Sequence, residues 1–151
     1  MKLLEDRLPI EAITVMVQKE AAQRICAEVG TRQSGAVTVS VNYYAEPEML
    51  FGVSAGSFMP APKVDSAVIR LNVRKEPPVK VESEKLLFNV IKAAFSQRRK
   101  TLANSLSSGL SVEKGKINEL LINSGVETNA RAEKLTLDDF ANITNNLQEM
   151  M

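Results

Sequence analysis

The run Phe58-Met59-Pro60-Ala61-Pro62-Lys63 sets an aromatic ring and a cation on one turn that holds two prolines. Each proline fixes its own φ and restricts the residue before it, which leaves the turn little freedom. An alternating segment follows, with Val64, Ser66, Val68 and Arg70 on one side and Asp65, Ala67, Ile69 and Leu71 on the other, as in a strand. Ring, lysine and strand together suit a surface that holds a flat, negatively charged ligand such as a nucleotide. On the residues alone, Phe58 also suits a packed core position. A second group is Lys92, Arg98, Arg99 and Lys100, four cations with no acid among them. On one continuous helix with Leu87 at zero, Arg98 falls about 20° away, inside the apolar stripe, while Lys92, Arg99 and Ala103 fall about 120–160° round. Arg98 is therefore expected to point at protein, with Lys92, Arg99 and Lys100 available to phosphate. A solvated basic face is the alternative, since cations also favour the end of a helix.

Other chemistries are poorly supplied. The 151 residues contain no histidine and one cysteine, Cys26, so there is no imidazole base, no internal disulfide and no multi-cysteine zinc site. Nineteen basic residues stand against 18 acidic ones, which excludes a strong overall field for nucleic acid or membrane. Met1-Lys2-Leu3-Leu4-Glu5-Asp6-Arg7 is too charged for a signal peptide, and no apolar run approaches a membrane span. A reduced, cytoplasmic protein is expected. At 44% apolar content the chain can build a real core.

The elements that must position these groups follow from periodicity. Residues 1–7 read as the tail of a helix stopped by Leu8-Pro9. Residues 12–17 are nearly all apolar, as in a strand covered on both faces, and residues 18–28 follow as a helix, half of a parallel βαβ unit. Residues 35–45 fit a strand through Val37, Val39 and Val41, and a helix by the resemblance given below; a helix is expected. Residues 48–53 and 65–73 read as strands. Lys75-Glu76-Pro77-Pro78-Val79-Lys80 is a charged, proline-rich break. Beyond it, one helix is expected from an N-cap at Ser83 to Ser107-Ser108-Gly109, a second over 111–124 stopped by Gly125, and a third opened by the capping box Thr136-Leu137-Asp138-Asp139.

Four ordered motifs resemble one family: residues 18–24 (Gln-Lys-Glu-Ala-Ala-Gln-Arg), Gly35 to Tyr44, Phe58 to Val68, and Phe95-Ser96-Gln97-Arg98-Arg99-Lys100-Thr101-Leu102. The chain is similar over nearly its whole length to the bacterial 16S ribosomal RNA adenine N6,N6-dimethyltransferases (dimethyladenosine transferases), of which it resembles the C-terminal half. The resemblance implies an α/β plus α architecture. Residues 1–74 would form the C-terminal portion of a Rossmann-like class I methyltransferase domain, 75–82 a linker, and 83–151 a helical rRNA-binding domain. It implies transfer of a sulfonium methyl from S-adenosylmethionine to the exocyclic amine of an everted adenine, with no metal. Phe58 matches the aromatic that stacks on the target adenine. Lys63 stands where it can meet a phosphate, Arg98, Arg99 and Lys100 match the family's rRNA-binding cluster, and Arg131 matches a further basic position. The implied partner is 16S rRNA in the 30S subunit.

Departures carry expectations of their own. Ala61 and Ala103 replace a proline and an arginine common in the family; the second change is expected to remove a phosphate contact. No Gly-x-Gly occurs, and the family's cofactor loop, acidic ribose ligand and Asn-Leu-Pro-Tyr motif have no counterpart. This segment is therefore expected to bind no S-adenosylmethionine and to be inactive alone. The strand at 12–17 is expected to leave an unpaired edge through which the chain self-associates. The competing reading is a non-catalytic rRNA or ribosome-assembly module. A DNA-reading role for the C-terminal helices is disfavoured by the acidity of the last one.

Overall fold

The computed structural model describes residues 10–57, 64–97 and 99–151. The chain folds as β1 (Ala12–Gln18), α1 (Lys19–Ile25), α2 (Ala36–Tyr44), β2 (Ala45–Val53) and β3 (Ser66–Val73), then α3 (Glu84–Ala94), α4 (Leu102–Leu110), α5 (Lys114–Asn123) and α6 (Leu137–Met150). The expected helix at 1–7 lies outside the described residues.

The strands form one sheet in the order β1-β3-β2, and both pairings are antiparallel. This corrects the parallel unit expected at 12–28: β1 and β2 run the same way, but β3 lies between them. The alternation expected of β3 holds, with Ala67, Ile69 and Leu71 buried on the face where α1 packs on β3, while α2 packs beside β2. No helix or strand of the described residues covers the other face. Met16, Val68 and Phe51 share one register row on it, and Met16 is 52% and Phe51 57% exposed. Leu50 is skipped at a register shift in β2. β1 is thus covered on one face only, not two. Its outer edge has no pairing strand among the described residues.

Residues 36–44 form the helix α2, as expected, although their valine alternation also fits a strand. Tertiary burial overrides propensity here, because Val39, Val41, Tyr43 and Tyr44 pack into the core. The start of α2 is tied to the end of α1 by Thr38 Oγ1, which accepts from the Gly35 amide (3.0 Å) and donates to the Arg24 carbonyl (2.6 Å).

The long helix expected from Ser83 is broken in two. Ser83 does cap α3, its hydroxyl accepting from the Leu86 amide at 3.1 Å. The helix ends at Ala94, turns, and resumes as α4 folded back against α3. A hairpin lets Leu87 and Ile91 of α3 and Leu102 and Leu106 of α4 share one core. Gly109, expected to end a helix, lies inside α4 at a close approach: a Cβ there would stand 2.6 Å from Ala93 Cβ. The turn comes later, at Ser111 with φ 55°. Gly125 follows α5 with φ 73°, as its stop role requires. The Thr136–Asp139 capping box opens α6, with reciprocal bonds of 3.1 and 3.0 Å.

Two contacts lock helices to sheet. Tyr44 of α2 stacks on Phe88 of α3 at 5.5 Å, with Tyr43 edge-on to both. Residues 75–82 run across α6, where the Asn145 side chain donates to the Lys80 carbonyl and accepts from the Glu82 amide.

Candidate nucleic-acid interface

Breaking the long helix creates the site. The α3–α4 turn carries Arg99 and Lys100, both exposed, and its own hydrogen bonds hold its shape. The Ser96 hydroxyl donates to the Ala93 carbonyl (2.6 Å), and the Gln97 carbonyl accepts from the Lys100 amide (3.2 Å) and the Ser105 hydroxyl (3.3 Å). The Leu102 amide donates to the Ala130 carbonyl (2.8 Å), which brings the segment before α6 alongside. On the other side stands the α1–α2 loop. Gly30, whose φ of 90° favours glycine, stands in ordinary contact with the Lys134 and Leu135 carbonyls, each 3.8 Å from where a Cβ would lie.

Between these segments lies a cleft of about 560 Å³. Arg24, Arg32, Arg99 and Lys100 line it against a single acid, Glu133. Ser34, Gly35, Ala36 and Val37 form its wall at the start of α2. Such a cavity has the size of a small-ligand pocket and the charge of an anion site.

The structure joins Arg99 and Lys100 in this cleft. Arg131 is exposed and adjoins the cleft residues Ala132 and Glu133, with its own interactions already engaged. Lys92 is exposed on the last turn of α3 and does not line the cleft. The helical wheel had placed Ala103 beside Lys92 and Arg99; instead Ala103 is buried in α4, because the chain turns before it. The expected loss of a phosphate contact there does not follow for this side chain. Phe58, Lys63 and Arg98 lie outside the described residues. The described flanks of the Phe58 loop are clasped by Asp65, whose carboxylate accepts from the Ala55 amide (2.9 Å) and whose carbonyl accepts from the Lys19 amide (2.9 Å).

Arg32 and Ser34 were not singled out from sequence, and Arg24 entered only as the last residue of the 18–24 motif, with no binding role. The two arginines are eight positions apart across a glycine turn, and only the tertiary fold sets them opposite Arg99. A basic pair just before a glycine-capped helix is the one local signal that points to them.

Burial raises the Cys26 thiol above its ordinary range, which leaves it protonated at neutral pH and poor as a nucleophile. No cluster of metal-ligating side chains occurs among the described residues. No helix among them is long and apolar enough to cross a membrane. The cofactor that the resemblance implies finds no cradle among them: β1 enters α1 at Gln18-Lys19 without a glycine turn, and the basic cleft repels a sulfonium cation.

Comparison with known proteins agrees over the whole chain. The family model described as "Ribosomal RNA adenine dimethylase" matches residues 1–149. A ribosomal RNA small subunit methyltransferase A of Alkaliphilus oremlandii is 43% identical over 152 residues, which cover 100% of this chain and 53% of that protein. Its counterpart in a Geobacillus strain is 45% identical over 154 residues, with the same coverage of 100% and 53%. The chain therefore spans about half the length of the curated relatives it matches. Among solved structures, a dimethyladenosine transferase from Plasmodium falciparum superposes with a TM-score of 0.71 at 21% identity, over 94% of this chain and 59% of that one. That likeness shows a shared fold, part of a methyltransferase sheet followed by helices.

Proposed function

The chain belongs to the ribosomal RNA adenine dimethylase family, and we propose that it is the target-base and rRNA-binding half of such an enzyme. The whole enzyme would dimethylate adenine N6 in 16S rRNA during maturation of the small subunit, in the cytoplasm. S-adenosylmethionine, bound elsewhere in that enzyme, would supply the methyl groups. Residues 1–74 would complete the methyltransferase domain, 75–82 link it to the helices, and 83–151 hold the RNA.

The carrying observation is the basic cleft, which sets Arg99 and Lys100 where sheet and helices meet. A flexible anionic backbone lying there would reach both parts of the fold at once. Phe58 would stack on the everted adenine, an interaction worth about 1–3 kcal/mol. Lys63, Arg98 and Arg131 would add contacts around it, with Lys92 a peripheral phosphate contact on α3.

A second reading is a non-catalytic rRNA or ribosome-assembly module, which would use the same basic cleft without methyl transfer. The open edge of β1 and the bare row Met16–Val68–Phe51 support self-association of the isolated chain through residues 12–17.

Methyl transfer to undermethylated small subunits separates the readings. The chain alone should bind 16S rRNA in preference to duplex DNA at matched salt, without methylating it. Adding the cofactor-binding half of a relative should restore transfer, and transfer should fall when Phe58 is replaced by alanine. Binding with no transfer in any combination would favour the assembly module. Equal binding to duplex DNA would overturn both.

A further inference from the structure

Three observations at the start of α2 converge on one ligand. First, α2 has nine residues and is preceded by Gly35 at its N-cap, which has no side chain to accept from the first helical amides. The positive end of the helix therefore faces the cleft uncapped. Second, the Arg24 guanidinium lies over the same point, with Nη1 3.7 Å from where a Gly35 Cβ would stand. Two positive groups face each other there, and neither Arg24 nor Arg32 forms an ion pair among the described residues. Third, Ser34 is 5% exposed, lines the cleft, and its hydroxyl is buried with no hydrogen-bond partner. An orphaned buried hydroxyl among unpaired cations calls for an acceptor from outside the chain.

We propose that this end of the cleft is a phosphate-binding site. The amides of Ala36 and Val37, the Ser34 hydroxyl and the Arg24 and Arg32 guanidinium groups would donate to the phosphate oxygens. A tetrahedral oxyanion satisfies all of these donors together, and its charge offsets the helix end and both arginines. Arg99 and Lys100 stand on the facing wall and carry the flanking phosphates. The assignment of the ligand as an RNA phosphodiester rests on the function proposed above; the anion site itself rests on the geometry alone. It extends the RNA track from the helical part onto the sheet part.

Two measurements on the full chain test this. Titration of inorganic phosphate, followed by backbone amide NMR, should shift Ala36 and Val37 saturably. Arg24→Gln with Arg32→Gln, or Ser34→Ala alone, should abolish or weaken that response. The melting temperature of Ser34→Ala should stay level or rise, because a hydroxyl without a partner is removed; a fall would show that the serine serves the fold instead. In the second measurement, binding of a short single-stranded 16S rRNA segment to the double arginine variant should weaken about tenfold at low salt, as expected for lost charge-assisted bonds. Silent amides at 36 and 37 in the unaltered chain would overturn the site. Shifts with phosphate but undiminished RNA binding in the variant would overturn the RNA assignment in favour of free phosphate. A chain that takes phosphate yet binds no RNA would sink the function proposed above and leave the anion site standing.

Discussion

The sheet and the C-terminal helices solve the same burial problem with different success. From α3 to α6 the apolar stripes meet one another, and Leu87, Leu106, Leu120 and Phe140 have no exposed surface, although Ile122 on the outer side of α5 is 68% exposed. The sheet covers one face with α1 and α2 and leaves Met16 and Phe51 on the other more than half exposed. Soluble folds seldom leave an apolar row on a bare sheet face beside an open strand edge. The helical half buries its apolar surface within itself and against Tyr43 and Tyr44 of α2, whereas the sheet leaves an apolar row exposed on one face. The basic cleft forms where the two meet, where the turn between α3 and α4 faces the start of α2.

That contrast can be broken or sharpened by substitution. The largest effect should come from Phe140→Ala, which empties the centre of the helical core and removes the ring contact with Phe95 at 6.0 Å. A loss of about 3–5 kcal/mol is expected by chemical denaturation, enough to unfold the helices at moderate temperature. Gly109→Ala comes next. A methyl group forced to within 2.6 Å of Ala93 Cβ must push α3 and α4 apart, at about 1–3 kcal/mol. Thr136→Ala removes one side of the capping box and should cost about 1 kcal/mol, read as a lower melting temperature. On the sheet, Met16→Lys should change stability by less than about 0.5 kcal/mol. Its visible effect should be a concentration-independent monomer on size-exclusion chromatography, where the unaltered chain is expected to associate. A large stability loss from Met16→Lys, or a small one from Phe140→Ala, would erase the difference between the two halves. The smallest expected effect concerns Cys26: its raised pKa predicts alkylation slower than that of a free thiol at neutral pH, with the gap closing as pH rises.

Local signals were legible where they act locally. The capping box at Thr136, the stop at Gly125, the Ser83 cap and the alternation of β3 all stand in the fold as the sequence indicates, since each depends on neighbours within a few residues. The misreadings share one cause. A run of helical periodicity from Ser83 to Gly109 cannot reveal that folding back on itself buries more than extending would, and the wheel that placed Ala103 beside Lys92 failed with it. The antiparallel sheet was equally invisible, because residues 12–28 do not encode which strand β1 will meet. Arg99 and Lys100 could be picked out as a cluster. Their alliance with Arg24, Arg32 and Ser34 could not, as it depends on Gly30 bringing the α1–α2 loop against the segment before α6.

The central claim is that the cleft between sheet and helices engages the RNA backbone through Arg99 and Lys100. Its most direct test is the salt dependence of binding to a single-stranded 16S rRNA segment, compared between the unaltered chain and the Arg99→Gln, Lys100→Gln variant. Two lost phosphate contacts should reduce the slope of log affinity against log salt by about 1.4. An unchanged slope, with the variant folded and binding as tightly as before, would contradict the claim.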